Sequence, residues 1–179
     1  VAGWLRRLLR IAAAAALVFA VLLVGTRLYA ARAVVAPAQT ALEALPFVTA
    51  AQVQSGAGGR RVTVTLADVP HLREAFLEVE RTARQALGPE GVDIAVVDRR
   101  DQALVDAYYR LRPYALEAAE TGRHIEMAAA FAAEAAALGL DPASAFTVDA
   151  DRIYIQLYRG DAYLYAVERR AGGGDSGAD

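Results

Sequence analysis

From residue 48 onward the spacing of apolar positions changes period along the chain, and each change marks an element. Over residues 61–66 Val62, Val64 and Leu66 alternate with Arg61, Thr63 and Thr65, the pattern of a half-buried antiparallel strand. A second strand over 48–54 and the turn Ser55-Gly56-Ala57-Gly58-Gly59 make the pair a predicted hairpin. The period then lengthens. Leu72, Phe76, Val79, Ala83 and Leu87 recur every three or four residues, so 72–87 is predicted to be a helix with one apolar stripe. Asp68 is its expected cap, Pro70 falls in its first turn, Glu80 and Arg84 pair on its polar side, and Gly88-Pro89 stops it. Residues 92–97 return to a strand, with Val92, Ile94 and Val96 on one face.

With a short helix over 40–45, residues 39–98 read as α-β-β-α-β. In element order alone this half resembles BON-type domains and the ring-forming modules of secretion and sporulation machines. Residues 101–170 read as two helices and a meander. Helix 102–119 opens at Asp101, turns Leu104, Tyr108, Leu111 and Leu116 inward, and is expected to kink or break at Pro113. Helix 124–138 ends at Gly139, and strands follow over 145–148, 152–158 and 162–168. The expected fold class is α+β: an N-terminal transmembrane helix, then one compact domain of antiparallel strands with amphipathic helices, in the order α-β-β-α-β-α-α-β-β-β.

Residues 11–25 carry no period at all; they are apolar on every side, with Arg6, Arg7 and Arg10 before them and Arg27 after. The run suits the core of a signal anchor over 11–27 in contact with membrane lipid, behind a basic cytoplasmic N-terminus (1–10) and before a stalk (28–38) whose helix stops at Pro37. The alternative is a secretory signal cleaved near Ala31-Arg32-Ala33, which would make the domain secreted. Arginine balance favours a cytoplasmic N-terminus and an extracytoplasmic domain over 39–170. The tail 171–179 reads as disordered.

Composition narrows the chemistry. The chain has no cysteine and no lysine, which removes thiol nucleophiles, Schiff-base lysines and the phosphate-loop lysine. Alanine-rich, arginine-only usage points to GC-biased bacterial coding. Beyond Pro37 there are 14 arginines against 21 acidic residues, a net charge of −7, so no nucleic-acid partner is expected. His71 and His124 lie far apart and belong to no metal motif; Asp149-Ala150-Asp151 lacks the rest of a calcium loop and reads as a turn. Asp98-Arg99-Arg100-Asp101 reads as a solvated loop. No catalytic residue, cofactor or metal is assigned.

One constellation stands out. Pairing Tyr158 with Asp161 across Arg159-Gly160 places Ile153, Ile155, Leu157 and Leu164 on one sheet face and Tyr154, Tyr158, Tyr163 and Tyr165 on the other. The tyrosine face is a candidate interaction surface for a protein partner; the opposing reading has helices covering it while the hydroxyls reach the rim. The expected function is a membrane-anchored, non-catalytic interaction or assembly module of the bacterial cell envelope. The alternatives are a small-molecule sensor with a pocket near Tyr108, Tyr109 and Tyr114, and an acid-based hydrolase.

Overall fold

The structure is a computed structural model that describes residues 35–56, 59–89 and 91–170, together with Phe19. The anchor region with Arg6, Arg7, Arg10 and Arg27, and the tail 171–179, lie outside the described residues. Among the described residues no helix is long and apolar enough to cross a membrane.

The chain runs α1 (Ala36–Glu43), β1 (Val48–Gly56), β2 (Gly59–Leu66), α2 (Leu72–Leu87), β3 (Val92–Val97), α3 (Gln102–Thr121), α4 (His124–Ala137), β4 (Ala145–Val148), β5 (Arg152–Arg159) and β6 (Ala162–Arg169). It is a mixed α+β fold with two three-stranded sheets, ordered β1-β2-β3 and β4-β5-β6. The element order follows the expectation closely. The all-antiparallel expectation does not hold, because β3 runs parallel to β2. A helix between two strands carries the chain back to the end where the first strand began, so the second enters in the same direction. The strand–helix–strand order over 61–97 already contained that outcome.

Two apolar clusters share the second sheet. Its Ile153, Ile155, Leu157 and Leu164 pack with Leu104, Leu111 and Phe131 of α3 and α4. Its opposite face sends Tyr154, Tyr158 and Tyr165 into a cluster with Val62, Val64 and Leu66 of β2 and Phe76, Val79 and Ala83 of α2. The second sheet is therefore the middle layer, and the alternation along β5 and β6 is apolar against aromatic, not apolar against polar.

Local details correct four expectations. Pro37 does not stop a helix; it lies in the first turn of α1, where its missing N–H costs nothing. α2 begins at Leu72 behind His71, and Asp68 makes no cap. Of the kink or break expected at Pro113 the break is absent, since α3 continues as one helix through it. Pro113 is exposed, and the carbonyl it leaves without a partner belongs to Tyr109, which is 69% exposed and open to water. The hairpin of the second sheet closes on Gly160-Asp161, so Tyr158 faces Tyr163, Gln156 faces Tyr165, and Tyr154 faces Val167. Gly160 sits at φ +58 at the first loop position, as a type II′ turn requires, and that fixes the register two residues from the expected one. A two-residue shift preserves faces, so the tyrosines still share a side.

Candidate functional site

The tyrosine face is an internal seam. Tyr154 is 1% exposed, Tyr165 2% and Tyr158 8%, and Tyr163 is half-buried. α2 covers Tyr154 through an edge-to-face contact with Phe76 at 5.9 Å. The hydroxyls of the other three end on the last residue of β2 and on the β2–α2 loop. The Tyr165 hydroxyl accepts from Val69 N–H at 2.8 Å and lies 3.3 Å from the Ala67 carbonyl. Tyr158 donates to the Val69 carbonyl, and Tyr163 donates to that of Leu66 at 2.8 Å. The loop leaves the sheet ladder with backbone groups to satisfy, and the tyrosines supply the partners from 90-odd residues away in sequence. Tyr154, Tyr158 and Tyr165 are covered by their own chain, Tyr154 by α2 and the other two by the β2–α2 loop, and their hydroxyls end inside the molecule instead of at a rim.

Burial pushes the Tyr158 and Tyr165 phenols above their usual range. The Tyr154 phenol is also raised, by burial first and by the Asp149 carboxylate it donates to at 3.0 Å.

Charged groups lock the same seam. Asp98, its side chain 2% exposed, holds Arg100 through two 2.7 Å bonds and accepts the Tyr165 N–H at 2.6 Å. The expectation of a solvated loop at 98–101 is thereby overturned, since Tyr163 N–H also donates to the Arg99 carbonyl at 3.2 Å. Asp101 caps α3 through Leu104 N–H at 2.9 Å. Glu80 faces the buried side of α2, contrary to its expected polar placement; it takes Arg152 at 2.6 and 2.9 Å as well as Arg84 at 2.9 Å. Gln156 Oε1 accepts from Leu72 N–H at 2.9 Å, doing for α2 what Asp68 does not. Nothing in sequence spacing links Asp98 to Tyr165, Glu80 to Arg152 or Gln156 to Leu72. The available signal was an acid beside an apolar stripe, as with Glu80 next to Val79.

No protein-family model, curated protein or solved structure matches this chain.

The cleft between the sheets holds about 120 Å³ and is lined by Phe76, Glu80, Asp93, Arg152, Glu168 and Arg169. Three carboxylates share it, and each has an arginine: Arg152 on Glu80, Arg61 on Asp93 at 3.0 Å, Arg112 on Glu168 at 2.6 Å. Arg112 holds the Glu168 carboxyl below its usual range, the reverse of what a general acid needs. Tyr108 donates to Glu168; burial and that carboxylate push its phenol up to about 12. Tyr109 and Tyr114 line neither this cleft nor the larger open groove of about 420 Å³ among Leu45, Phe47, Val69, His71 and Glu74. Among the described residues no three His, Cys, Asp or Glu side chains converge as metal ligands.

With the tyrosines buried, the sheet edges are the surfaces left to compare. The outer edge of β6 is plugged by residues 98–100, which take its Tyr163 and Tyr165 N–H groups and place Arg100 on the Tyr165 carbonyl at 3.4 Å. β3 runs into that plug and carries Asp93. β4 has only 4 residues. β1 differs: it has 9 residues and no charged side chain, and it lies at the end of its sheet. Among the described residues one side chain bonds its backbone, Gln39, through Nε2 to the Ala51 carbonyl at 3.2 Å.

Proposed function

We propose that this chain is a non-catalytic interaction or assembly module of a bacterial cell envelope, tethered to the membrane through residues 11–27. The observation that carries the interaction reading is the contrast between edges. Natural sheets guard their edges with charge, shortness or a covering segment; three edges here follow that habit, while β1 is long and uncharged and, among the described residues, is met only by α1, with Gln39 on the Ala51 carbonyl. A long, uncharged edge is a template for strand addition. The tether rests on the apolar run and its arginine flanks. The non-catalytic reading rests on carboxylates neutralised in pairs and on the absence of lysine and cysteine from the sequence.

Protease treatment of spheroplasts expressing the full chain, with carbonate extraction of the membranes, tests the placement. The expected result is a carbonate-resistant chain whose C-terminal domain is digested from outside. Release by carbonate, or protection of the domain, overturns it.

A further inference from the structure

We propose that the occupant of the β1 edge is a second copy of this chain, its β1 running antiparallel to the first and joining two three-stranded sheets into one of six. The proposal names the partner within the interaction reading above and rests on it.

Charge and pattern select a second copy. From residue 44 to residue 59 the sequence has no charged side chain, in a domain with a net charge of −7. Two copies would repel over most of their surfaces but meet no like charge along this edge. β1 is also self-complementary. A bulge at Thr49 leaves residues 50–56 as the regular part of the strand. Antiparallel pairing centred on Gln52 sets Ala51 beside the partner's Val53, Val53 beside the partner's Ala51, and Gln54 beside the partner's Ala50. Ala51 and Val53 are both buried on the core face, and Ala50, Gln52 and Gln54 are all exposed. The two core faces and the two glutamine faces therefore continue across the junction without a polar residue turned inward.

The Gln39 bond bears on the hydrogen-bond pattern: it shows that the Ala51 carbonyl points away from β2, and an incoming strand replaces Gln39 there. Residues of that parity, Ala51 and Val53, supply the new backbone bonds. Gln52 then faces the partner's Gln52 as a non-hydrogen-bonded pair, with Cα atoms about 4.5 Å apart. Anchoring both copies in one membrane raises their effective concentration and lets a modest edge contact suffice.

The chain has no cysteine, which makes the geometry readable by disulfide trapping. Single variants Gln52→Cys, Gln54→Cys and Ala129→Cys of the purified full chain in detergent micelles are oxidised with copper phenanthroline. Residue 129 is exposed on α4 and reports random or anchor-driven encounters. Gln52→Cys is expected to give covalent dimer well above Ala129→Cys. Gln54→Cys is expected to stay at that background, because its own counterpart lies four residues away. Equal yields at 52 and 129 overturn the proposal.

A charge exchange guards against misfolded variants. Differently tagged copies both carrying Gln52→Arg are expected to co-purify about fivefold less than the unsubstituted pair, from like charges placed directly opposite. A Gln52→Arg copy mixed with a Gln52→Glu copy is expected to recover co-purification. Failure to recover, or unchanged self-association of the arginine variant, overturns the proposal. The assay uses purified chain, so its failure removes only the second copy, while release by carbonate removes only the envelope placement.

Discussion

Removing the Tyr165 hydroxyl is the most direct test of the seam. Tyr165→Phe keeps the ring and so leaves the tilted contact with Tyr163 at 5.1 Å and the edge contact with Tyr158 at 6.0 Å in place. It deletes the acceptor for Val69 N–H, and Val69 is itself only 3% exposed. Water cannot easily replace that acceptor. A lost hydrogen bond is worth about 1 kcal/mol net, and an orphaned buried donor costs about 1–3 kcal/mol, so the expected loss is about 1.5–3 kcal/mol. The comparison is Tyr163→Phe. Its hydroxyl donates to the Leu66 carbonyl at the end of β2, but the residue is half-buried and water can reach the site, so about 0.5–1 kcal/mol is expected. Urea unfolding of the full chain in micelles, followed by near-ultraviolet circular dichroism, measures both. A shift of about 1 M in the midpoint corresponds to the larger loss for a domain of this size. Equal midpoints for Tyr165→Phe and the unsubstituted chain would refute the buried-seam account and return the tyrosines to the surface.

Three further outcomes are expected. Asp98→Ala strands the Tyr165 N–H and Arg100 together; with Arg100 nearly half exposed the expected loss is about 2–4 kcal/mol, read as a fall in urea midpoint, whereas Arg100→Ala costs less. Gln156→Leu removes the acceptor at the start of α2 and should cost about 0.5–2 kcal/mol, with faster amide exchange at Leu72 as the local signature. The third concerns alkali. Tyr108, Tyr154, Tyr158 and Tyr165 are raised in the folded chain relative to the usual value near 10, so the folded state holds its protons more tightly than the unfolded one. Their contribution is complete below pH 10 and is lost as pH rises beyond it, through about 12 for Tyr108. Absorbance at the tyrosinate band should show these four ionising above the usual range; their ionisation near pH 10 in the folded chain would contradict it.

The sequence was legible wherever a periodic pattern had to match one packed face. The helix at 72–87 and the strand at 92–97 coincide with α2 and β3, because a three-to-four spacing fits only a helix and a spacing of two only a strand. The tyrosine side of β5 and β6 was legible for the same reason, and it survived a register error because faces repeat every second residue. The register itself depended on which two residues formed the turn. Gly160 decided that through its positive φ, a choice Arg159 could not have made cheaply.

What the sequence alone determined is a set of elements, their order and the side each residue takes. Only the tertiary structure decided what each side meets. Tyr154, Tyr158 and Tyr165 sit opposite an apolar face, where a tyrosine is equally suited to solvent, to a partner or to a loop needing hydrogen bonds. The β2–α2 loop supplied that need from far away along the chain. Asp98, Glu80 and Gln156 were invisible for the same reason: their partners Tyr165, Arg152 and Leu72 are joined to them by folding and not by spacing. Local pattern records which groups must be buried, whereas the pairing of buried polar groups is a three-dimensional constraint that no one-dimensional period encodes.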